Sequence, residues 1–402
     1  MRRFTVAALL MAPMLAAGPA WAEYPGGRVK IGVLTDLSGV YSDIAGKGSV
    51  IATRMAIDDC MRAECAGMII EAVVADHQNK ADVALAAIRS WIDRDEVDAV
   101  TDMGNASIQL AAPSLLREKN RVGIFAGGTA RLTGDACEPG NVVQWLWDTY
   151  VQVSGVTRQL TRPGTKWELV TADYALGHQF EADAKTLVAA AGGTVVGSVR
   201  YAFPGTDFSS PLLTAQGSGA DVVALANAGR DTVNGIKTAH EFGMPTAKQA
   251  LTAYFATVMD VHGVGLEVAQ GLVLSEAFYW DVDDRTRAFS ERFRALNGTM
   301  PSTNHAGIYS GVRHYLKAVA ATRSTVPAVV IAAMRAIPIE DEVVRNASLR
   351  VDGRMVHDVY VFRVKKPAES RGEWDLYEPL ATIPGEQAFR PLAAGGCRAV
   401  SN

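Results

Sequence analysis

The sequence predicts an α/β protein made of two similar, doubly wound parallel-sheet lobes. Short apolar runs of strand length alternate with longer segments whose apolar residues recur at helical spacing. The same alternation appears twice, over residues 29–125 and 167–275. Because parallel strands joined by helices form a sheet covered on both faces, each series predicts one lobe. A chain of 402 residues is long enough for two such units.

The first lobe begins with residues 29–59. Val29–Leu34 is an apolar run that predicts a buried strand, turn residues follow from Asp36 to Gly39, and Val50–Ile57 continues as a helix. The loop at the carboxyl end of such a strand faces the ligand in open α/β sheets, and the free N–H groups of a helix N-terminus suit an anion. We therefore expect this loop to border a ligand site.

The other elements follow in chain order. In the first lobe we predict strands Met68–Val74, Val97–Val100 and Val122–Phe125, and helices Asp82–Trp91 and Ile108–Lys119. In the second we predict strands Trp167–Thr171, Thr194–Tyr201, Val222–Ala226, Ala250–Tyr254 and Gly271–Ser275, and helices Gln179–Ala191, Pro211–Gln216 and Thr232–Phe242. Helices Thr286–Leu296, Ile308–Ala321 and Pro327–Arg335 come next, then strands Val356–Val364 and Trp374–Ile383 around a charged loop.

The N-terminus has the features of a cleaved export signal. Arg2 and Arg3 precede the apolar run Phe4–Ala17, which is too short to span a bilayer comfortably. Ala20-Trp21-Ala22 is a small-x-small cleavage site, so we expect the mature chain to start at Glu23.

Four cysteines in an exported chain predict disulfides. Three pairings are possible. We favour Cys60–Cys65, a small local loop after the first helix, and Cys137–Cys397, which anchors the C-terminal tail. The cysteines form no C-x-x-C and have no histidine at ligand spacing, so they do not predict a metal site.

Composition and motifs argue against a nucleic-acid-binding protein and against an enzyme. The chain has 39 basic and 43 acidic residues, a formal charge of −4 and no basic run. No G-x-S-x-G elbow is present, Gly46-Lys47-Gly48 completes neither a P-loop nor a dinucleotide fingerprint, and His240-Glu241 lacks a zincin's second histidine. We expect no catalytic residue, metal or cofactor.

Several segments resemble type I periplasmic solute-binding proteins of ABC importers, the branch with the branched-chain amino acid (Leu/Ile/Val) receptors. These segments are IGVLTDLSGVYSDIAGKGS at 31–49, AGGTARLTG at 126–134, PGTDFSSPLLTAQGSGAD at 204–221, Trp147–Tyr150 and Ala277–Asp281. Each motif is loose, but their order and spacing together are specific to the family. The resemblance covers nearly the whole mature chain.

The resemblance implies a hinge of three chain crossings, near residues 140–148, 275–282 and 350–358. The expected division is a signal peptide (1–22), lobe 1 (23–145 plus 279–355), lobe 2 (146–278 plus 356–390) and a C-terminal tail (391–402). It further implies a monomeric periplasmic protein that closes its lobes on a small ligand and delivers it to ABC permease subunits. No nucleic-acid partner is expected.

Residues that follow strands, together with the resemblance, give the candidate ligand-binding set. It comprises Tyr41, Asn105, Gly127, Gly128, Thr129, Trp147, Tyr174, Asn227, Asp260, Tyr279, Trp280 and His305. By resemblance, the loop 127–129 grips a carboxylate, with Thr129 as the best single site residue, and Asp260 lies near the acid that binds an amino acid's ammonium. Asn105 stands where receptors of the family have a serine that holds the carboxylate.

Structural alternatives stay open for several of these residues. Asn105 and Asp260 equally suit helix caps, and His305 equally suits a structural role. The aromatic residues near the hinge, Trp145, Trp147, Tyr279 and Trp280, form either a stacking wall or lobe core. We favour an aromatic or 2-oxo acid as ligand. An aliphatic amino acid and a ligand-sensing subunit of a signalling system are the alternatives.

Overall fold

The computed structural model describes residues 27–246 and 248–400. The predicted signal peptide, its cleavage site and the last two residues of the predicted tail lie outside these ranges. Within them, the mixed α/β architecture with parallel-sheet lobes confirms the predicted fold class.

The first sheet has five parallel strands in the order β2-β1-β3-β4-β5. Its strands are β1 (Arg28–Thr35), β2 (Ile69–Asp76), β3 (Ala99–Asp102), β4 (Val122–Phe125) and β5 (Val142–Gln144). The helices that connect them are α1 (Gly46–Met61), α2 (Ala81–Arg94) and α3 (Ala106–Glu118). Residues of β3 and β4 are buried throughout because helices cover both faces.

The second sheet has seven strands in the order β14-β13-β10-β9-β8-β6-β7. Its strands are β6 (Lys166–Ala172), β7 (Thr194–Tyr201), β8 (Val222–Ala226), β9 (Ala250–Ala253), β10 (Val273–Glu276), β13 (Val359–Val364) and β14 (Tyr377–Ile383). Strands β6 to β10 pair in parallel, whereas β13 and β14 add an antiparallel edge. Its helices are α4 (Thr149–Leu160), α5 (Ala175–Ala190), α6 (Ser209–Gly217), α7 (Arg230–Glu241), α8 (Val258–Val264), α9 (Leu266–Ala269) and α13 (Gly385–Ala388).

Three late helices return to the first sheet. They are α10 (Asp284–Asn297), α11 (Thr303–Thr322) and α12 (Pro327–Ala336), and they precede a small antiparallel pair, β11 (Ser348–Leu349) and β12 (Met355–Val356). Helices α10 and α11 pack on α1. We call the first sheet with α1–α3 and α10–α12 the first lobe, and the second sheet with α4–α9 and α13 the second lobe.

Three short segments connect the lobes. The chain leaves β5 after Gln144 and enters α4, which packs on β10 and β13. It returns to the first lobe between Glu276 and Asp284. The third crossing lies between Arg354 and Val359, and Arg354 forms an isolated β-bridge with Gln144. These positions agree with the three expected crossings. The lobe limits predicted from the sequence stay a proposal.

Both predicted disulfides are present, Cys60–Cys65 and Cys137–Cys397. Within the described part of the chain, no single helix is long and apolar enough to cross a membrane. Helices α11 and α12 pass that test only together, and they are bent by 107° at their junction.

Candidate functional site

The loop after β1 is shaped by a buried carboxylate. Asp36 is almost fully buried, and its two oxygens accept hydrogen bonds from the backbone N–H of Gly39 (2.6 Å) and of Tyr41 (3.0 Å). A charge-assisted bond to backbone N–H holds a loop more firmly than a neutral one. Asp36 therefore fixes Tyr41 at the carboxyl end of the first sheet, facing the second lobe.

Aromatic side chains from opposite lobes meet at this loop. The Tyr41 hydroxyl is hydrogen-bonded to the hydroxyl of Tyr174, which follows β6 in the second lobe. The Tyr174 ring stacks on Phe203 with ring centroids 4.0 Å apart, and Tyr41 lies 6.2 Å from the same ring. Burial raises the pKa of both tyrosine hydroxyls, so both remain protonated at neutral pH.

An enclosed, mainly apolar cavity lies between the lobes beside this contact. Its volume is only about 20 Å³, so the lobes leave little space between them here. Its lining consists of Tyr41, Ile44, Ala45, Gly104, Trp147, Leu176, Ala228, Phe255 and Asn304. These residues come from both lobes and from the first crossing segment, and most of them lie just beyond strand ends.

Trp147 supplies the main aromatic face of the cavity. Its ring stacks on Phe255 of the second lobe, with centroids 4.0 Å apart and an interplanar angle of 25°. Its indole Nε1–H is buried and has no hydrogen-bond partner among the described residues. An unpaired buried donor is costly, and this one lies against Gly127 of the loop after β4.

The Gly127-Gly128-Thr129 loop makes room for Trp147 and is tied down by Gln109. A Cβ on Gly127 would lie 2.1 Å from Trp147 Nε1, so a side chain there would displace the indole. Gln109 Nε2 donates to the Gly127 carbonyl (2.7 Å), and Gln109 Oε1 accepts from Thr129 N–H (3.0 Å). Thr129 Oγ1 accepts from Arg131 N–H. These bonds hold the loop from inside, but among the described residues they leave the backbone N–H groups of Gly127 and Gly128 and the Thr129 hydroxyl proton without an acceptor.

Asn304 contributes an amide group to the lining of the buried cavity. It is the second residue of α11, and its Nδ2 donates to Oδ1 of buried Asp102 (3.2 Å). Asp102 and Met103 have positive φ angles of 75° and 54° at the end of β3. Non-glycine residues adopt this region rarely, and such strain clusters at functional sites.

A second, larger cavity of about 540 Å³, against about 20 Å³ for the first by the same measure, also lies between the lobes. Its lining comes from both lobes and includes Asp43, Lys47, Arg230, Asp260 and His305. The Asp43 and Arg230 side chains are more than half exposed. A charged group bound there would keep much of its hydration, so we place the candidate site at the buried cavity.

Three candidate residues have structural roles that the sequence left open. Asn105 caps α3, accepting from Ser107 N–H and from the next N–H. Asp260 caps α8 in a reciprocal box with Thr257. His305 accepts from the backbone at the start of α11, and its Nε2 donates to the Ala45 carbonyl (2.8 Å). Burial raises the pKa of Asp260 to about 7 and lowers that of His305 to about 4.

The expected wall of hinge aromatics is not assembled. Tyr279 and Trp280 both donate to the Trp374 carbonyl, at 3.1 and 2.8 Å, on the outer side of the second lobe. Trp145 donates to Ser310 inside the first lobe. Of these four residues, only Trp147 lines the buried cavity. The crossing segments direct the other three side chains into contacts within a single lobe.

Asn227 is occupied inside the second lobe. Its Nδ2 donates to the Tyr201 hydroxyl (3.0 Å), and its Oδ1 accepts from Thr232 (2.8 Å). Of the candidate set, Tyr41 and Trp147 line the buried cavity, and Tyr174 lies directly behind Tyr41.

Sequence reasoning missed Phe255, Leu176, Ala228 and Asn304. The first three follow strands β9, β6 and β8, where the strand-end rule could have found them. Their side chains are apolar, so they carry none of the polar groups that indicate a ligand contact in a sequence. Asn304 carried no comparable signal, since it follows a helix cap.

Comparisons with known proteins decide the family. A family model described as "Periplasmic binding protein" matches residues 28–372. The chain belongs to the periplasmic binding protein family. It is similar to a periplasmic binding protein of Burkholderia mallei, with 42% identity, a TM-score of 0.88, and coverage of 93% of this chain and 100% of the other.

The chain is also similar to two further solved structures. A branched-chain amino acid ABC transporter periplasmic ligand-binding protein of Burkholderia xenovorans has 41% identity and a TM-score of 0.82, covering 92% of this chain and 99% of the other. A solute-binding protein of an ABC transporter from Rhodopseudomonas palustris, in complex with 4-hydroxybenzoate, has 20% identity and a TM-score of 0.78 over 89% and 97% of the two chains. A comparison with curated proteins found no match.

Membership of the family fixes the general role. Periplasmic binding proteins of ABC transporters bind small ligands and are not enzymes. The prediction of a type I periplasmic solute-binding protein is confirmed.

Proposed function

We propose that this periplasmic binding protein captures a small, flat organic carboxylate, an aromatic or 2-oxo acid, and delivers it to ABC permease subunits as a monomer. The observation that carries the proposal is the Trp147–Phe255 stack beside a buried, unpaired indole N–H. Aromatic faces bind planar groups, and an N–H donor binds a carboxylate or oxo group.

The lining of the buried cavity supports a ligand without a cationic group. None of its lining residues is acidic, and Asp260, the expected ammonium partner, caps α8 and lines the larger cavity instead. The 4-hydroxybenzoate complex of the Rhodopseudomonas palustris protein is in keeping with this ligand class.

The alternative ligand is a branched-chain or other aliphatic amino acid. The 41% identity to the Burkholderia xenovorans branched-chain amino acid binding protein favours it. A ligand-sensing role in signalling would use the same cavity and the same closure of the lobes.

A thermal-shift panel separates the ligand classes. Benzoate, 4-hydroxycinnamate and phenylpyruvate are compared with leucine and valine, since a ligand at 100 times its Kd adds about 2.7 kcal/mol of stability. Native mass spectrometry of the purified protein identifies any ligand carried through purification. Stabilisation by leucine and valine alone would refute the acid and support the alternative.

Trp147→Phe then tests the cavity itself. Phenylalanine keeps an aromatic face but removes the N–H, and losing a hydrogen bond to a charged group, about 1.5–3 kcal/mol, raises Kd about 10- to 100-fold. Trp167→Phe is the matched control, because Trp167 also has an unpaired buried Nε1 but lies in the second-lobe core. Calorimetry with the best acid of the panel measures both variants.

A further inference from the structure

The N-terminus of α11 holds Asn304 rigidly against the buried cavity. Ser302 Oγ accepts from His305 N–H (3.2 Å) and donates to the Ile44 carbonyl (2.7 Å), so the helix start is fastened to the loop after β1. His305 Nε2 adds a second link to that loop through Ala45. Asn304 itself is about 5% exposed. Its amide therefore has a fixed position in the cavity wall.

Asp102 determines which way the Asn304 amide faces. Asn304 Nδ2 lies 3.2 Å from Asp102 Oδ1 and donates to it. The NH₂ group must therefore face Asp102, which lies behind the cavity wall beside Gly104. The Asn304 carbonyl oxygen accepts no hydrogen bond among residues 27–246 and 248–400, and it keeps some exposed surface.

The cavity lining otherwise offers few polar side-chain groups. Ile44, Ala45, Leu176, Ala228 and Phe255 are apolar, and the Tyr41 hydroxyl is already bonded to Tyr174. The unpaired groups are one donor, Trp147 Nε1–H, and one acceptor, Asn304 Oδ1. A ligand that satisfies both needs an acceptor and a hydrogen-bond donor of its own.

We propose that Asn304, oriented by Asp102, accepts a hydrogen bond from a hydroxyl group of the ligand, so that the protein selects hydroxylated acids. This inference rests on the proposed function, because the carboxylate of the same ligand is assigned to Trp147. Asn304 is then a binding residue that sets specificity, and Asp102 is a positioning residue.

The readout is the ratio of two dissociation constants measured by calorimetry, Kd for benzoate over Kd for a hydroxybenzoate. The 2-, 3- and 4-hydroxy isomers are all measured, and phenylpyruvate is compared with phenyllactate. We expect the best hydroxylated acid to bind at least about 10-fold more tightly than its parent, since the parent cannot donate a hydrogen bond to the Asn304 carbonyl oxygen.

Two variants assign that ratio to the Asn304–Asp102 pair. Asn304→Leu removes the acceptor, and Asp102→Asn lets the new amide donate to Asn304, so its NH₂ can turn into the cavity. In both, we expect the ratio to fall to about 1, because the hydroxylated acid loses its acceptor. Asp358→Asn is the matched control, because it alters an exposed Asn346–Asp358 pair of the same kind. Circular dichroism establishes that each variant is folded.

The outcomes separate this inference from the proposed function. Tight binding of benzoate with a ratio near 1 in the unmodified protein overturns the role of Asn304 and leaves the proposed function standing. Binding of leucine that Asn304→Leu abolishes would overturn both, because Asn304 would then accept from an ammonium group. A ratio that survives in both variants also overturns the assignment.

Discussion

At the scale of single residues, Gly127 is required by the side chain it faces. A methyl group there would lie 2.1 Å from Trp147 Nε1, inside the distance that real Cβ contacts reach. Because the indole is buried and stacked on Phe255, it has little room to move away. The glycine is thus a consequence of where Trp147 lies.

Gly127→Ala is expected to lower the free energy of unfolding by about 1–3 kcal/mol, the usual cost of overpacking. It should also weaken ligand binding, because the indole must shift. Urea unfolding and calorimetry measure the two effects. Gly217→Ala is the control, since no atom lies within 4 Å of the Cβ it would add. Equal stability of the two variants would contradict the packing argument.

A buried acid pair predicts a dependence of stability on pH. Glu276 Oε1 accepts from Val258 N–H (3.1 Å), and its Oε2 is buried without a partner in the described chain. Burial raises the pKa of Glu276, and the nearby carboxyl of Asp260 raises it further. Burial also raises the pKa of Asp260 to about 7.

The unfolding free energy falls as the pH rises, because the folded state binds more protons than the unfolded state. The folded state holds these protons while the unfolded state releases them near pH 4, so the stabilisation is full below that pH. It is lost as the pH rises through about 7 for Asp260 and through the raised pKa of Glu276. Glu276→Gln removes one titrating group. We expect the variant to exceed the parent in unfolding free energy at pH 8, with little difference at pH 4. Urea titrations measure the unfolding free energy across pH, with the exposed Glu118→Gln as control. Parallel curves of unfolding free energy against pH for Glu276→Gln and the parent would contradict the prediction.

Individual roles were harder to predict than individual elements. The sequence predicted that Asn105 and Asp260 could cap helices, because a polar residue before an apolar helix is a local signal. It could not predict the Asn304–Asp102 bond, which joins residues 202 positions apart. Partners at such distances depend on the register of the sheet and the crossing segments, and a single sequence does not contain either directly.

At the scale of elements, prediction succeeded where apolar periodicity was strong. The strands β1, β6, β7 and β8 lie where the apolar runs placed them, because buried parallel strands need such runs. Helix α4 was missed. Its sequence, TYVQVSGVTRQL, is rich in β-branched residues and contains Gly155, all of which lower helix propensity. Packing on β10 and β13 overrides that preference, and Gly155 lets the helix approach Ser275 closely.

The C-terminal segment is an element that joins the lobes a fourth time. Helix α13 packs on α4 in the second lobe, and Cys397 is bonded to Cys137 in the first. Arg390 donates to the Ala130 carbonyl (2.7 Å) between these points. The disulfide therefore closes a loop over a sequence separation of 260 residues.

Replacing both cysteines, Cys137→Ala with Cys397→Ala, is expected to lower the free energy of unfolding by about 2–5 kcal/mol, because the unfolded chain regains the freedom that the bond removes. Urea unfolding with and without reductant measures this. Reductant should lower the free energy of unfolding of the parent more than that of the double variant, because the double variant keeps only the Cys60–Cys65 disulfide. A double variant as stable as the parent would show that the segment is held by its non-covalent contacts alone.

At the scale of the whole molecule, the nearly closed arrangement depends on a few contacts between the lobes. The Tyr41 and Tyr174 hydroxyls are bonded, Arg230 N–H donates to the Val40 carbonyl (3.2 Å), and Arg230 Nη2 donates to Ser42 (3.1 Å). Three crossing segments allow a hinge motion, and a ligand between the lobes adds contacts only when they close. The contacts already present set how far the free protein favours closure.

Tyr174→Phe tests that balance. It keeps the ring stacked on Phe203 but removes the hydroxyl bond to Tyr41, worth about 1 kcal/mol. We expect the ligand-free protein to shift toward an open form, with a larger radius of gyration in X-ray scattering. Kd should rise about 5-fold, because less of the protein is closed before binding. Tyr315→Phe is the matched control, since its buried hydroxyl has no partner in the described residues and lies within the first lobe. If Tyr174→Phe changed neither the radius of gyration nor Kd while Tyr315→Phe behaved in the same way, the tyrosine pair would have no part in closure.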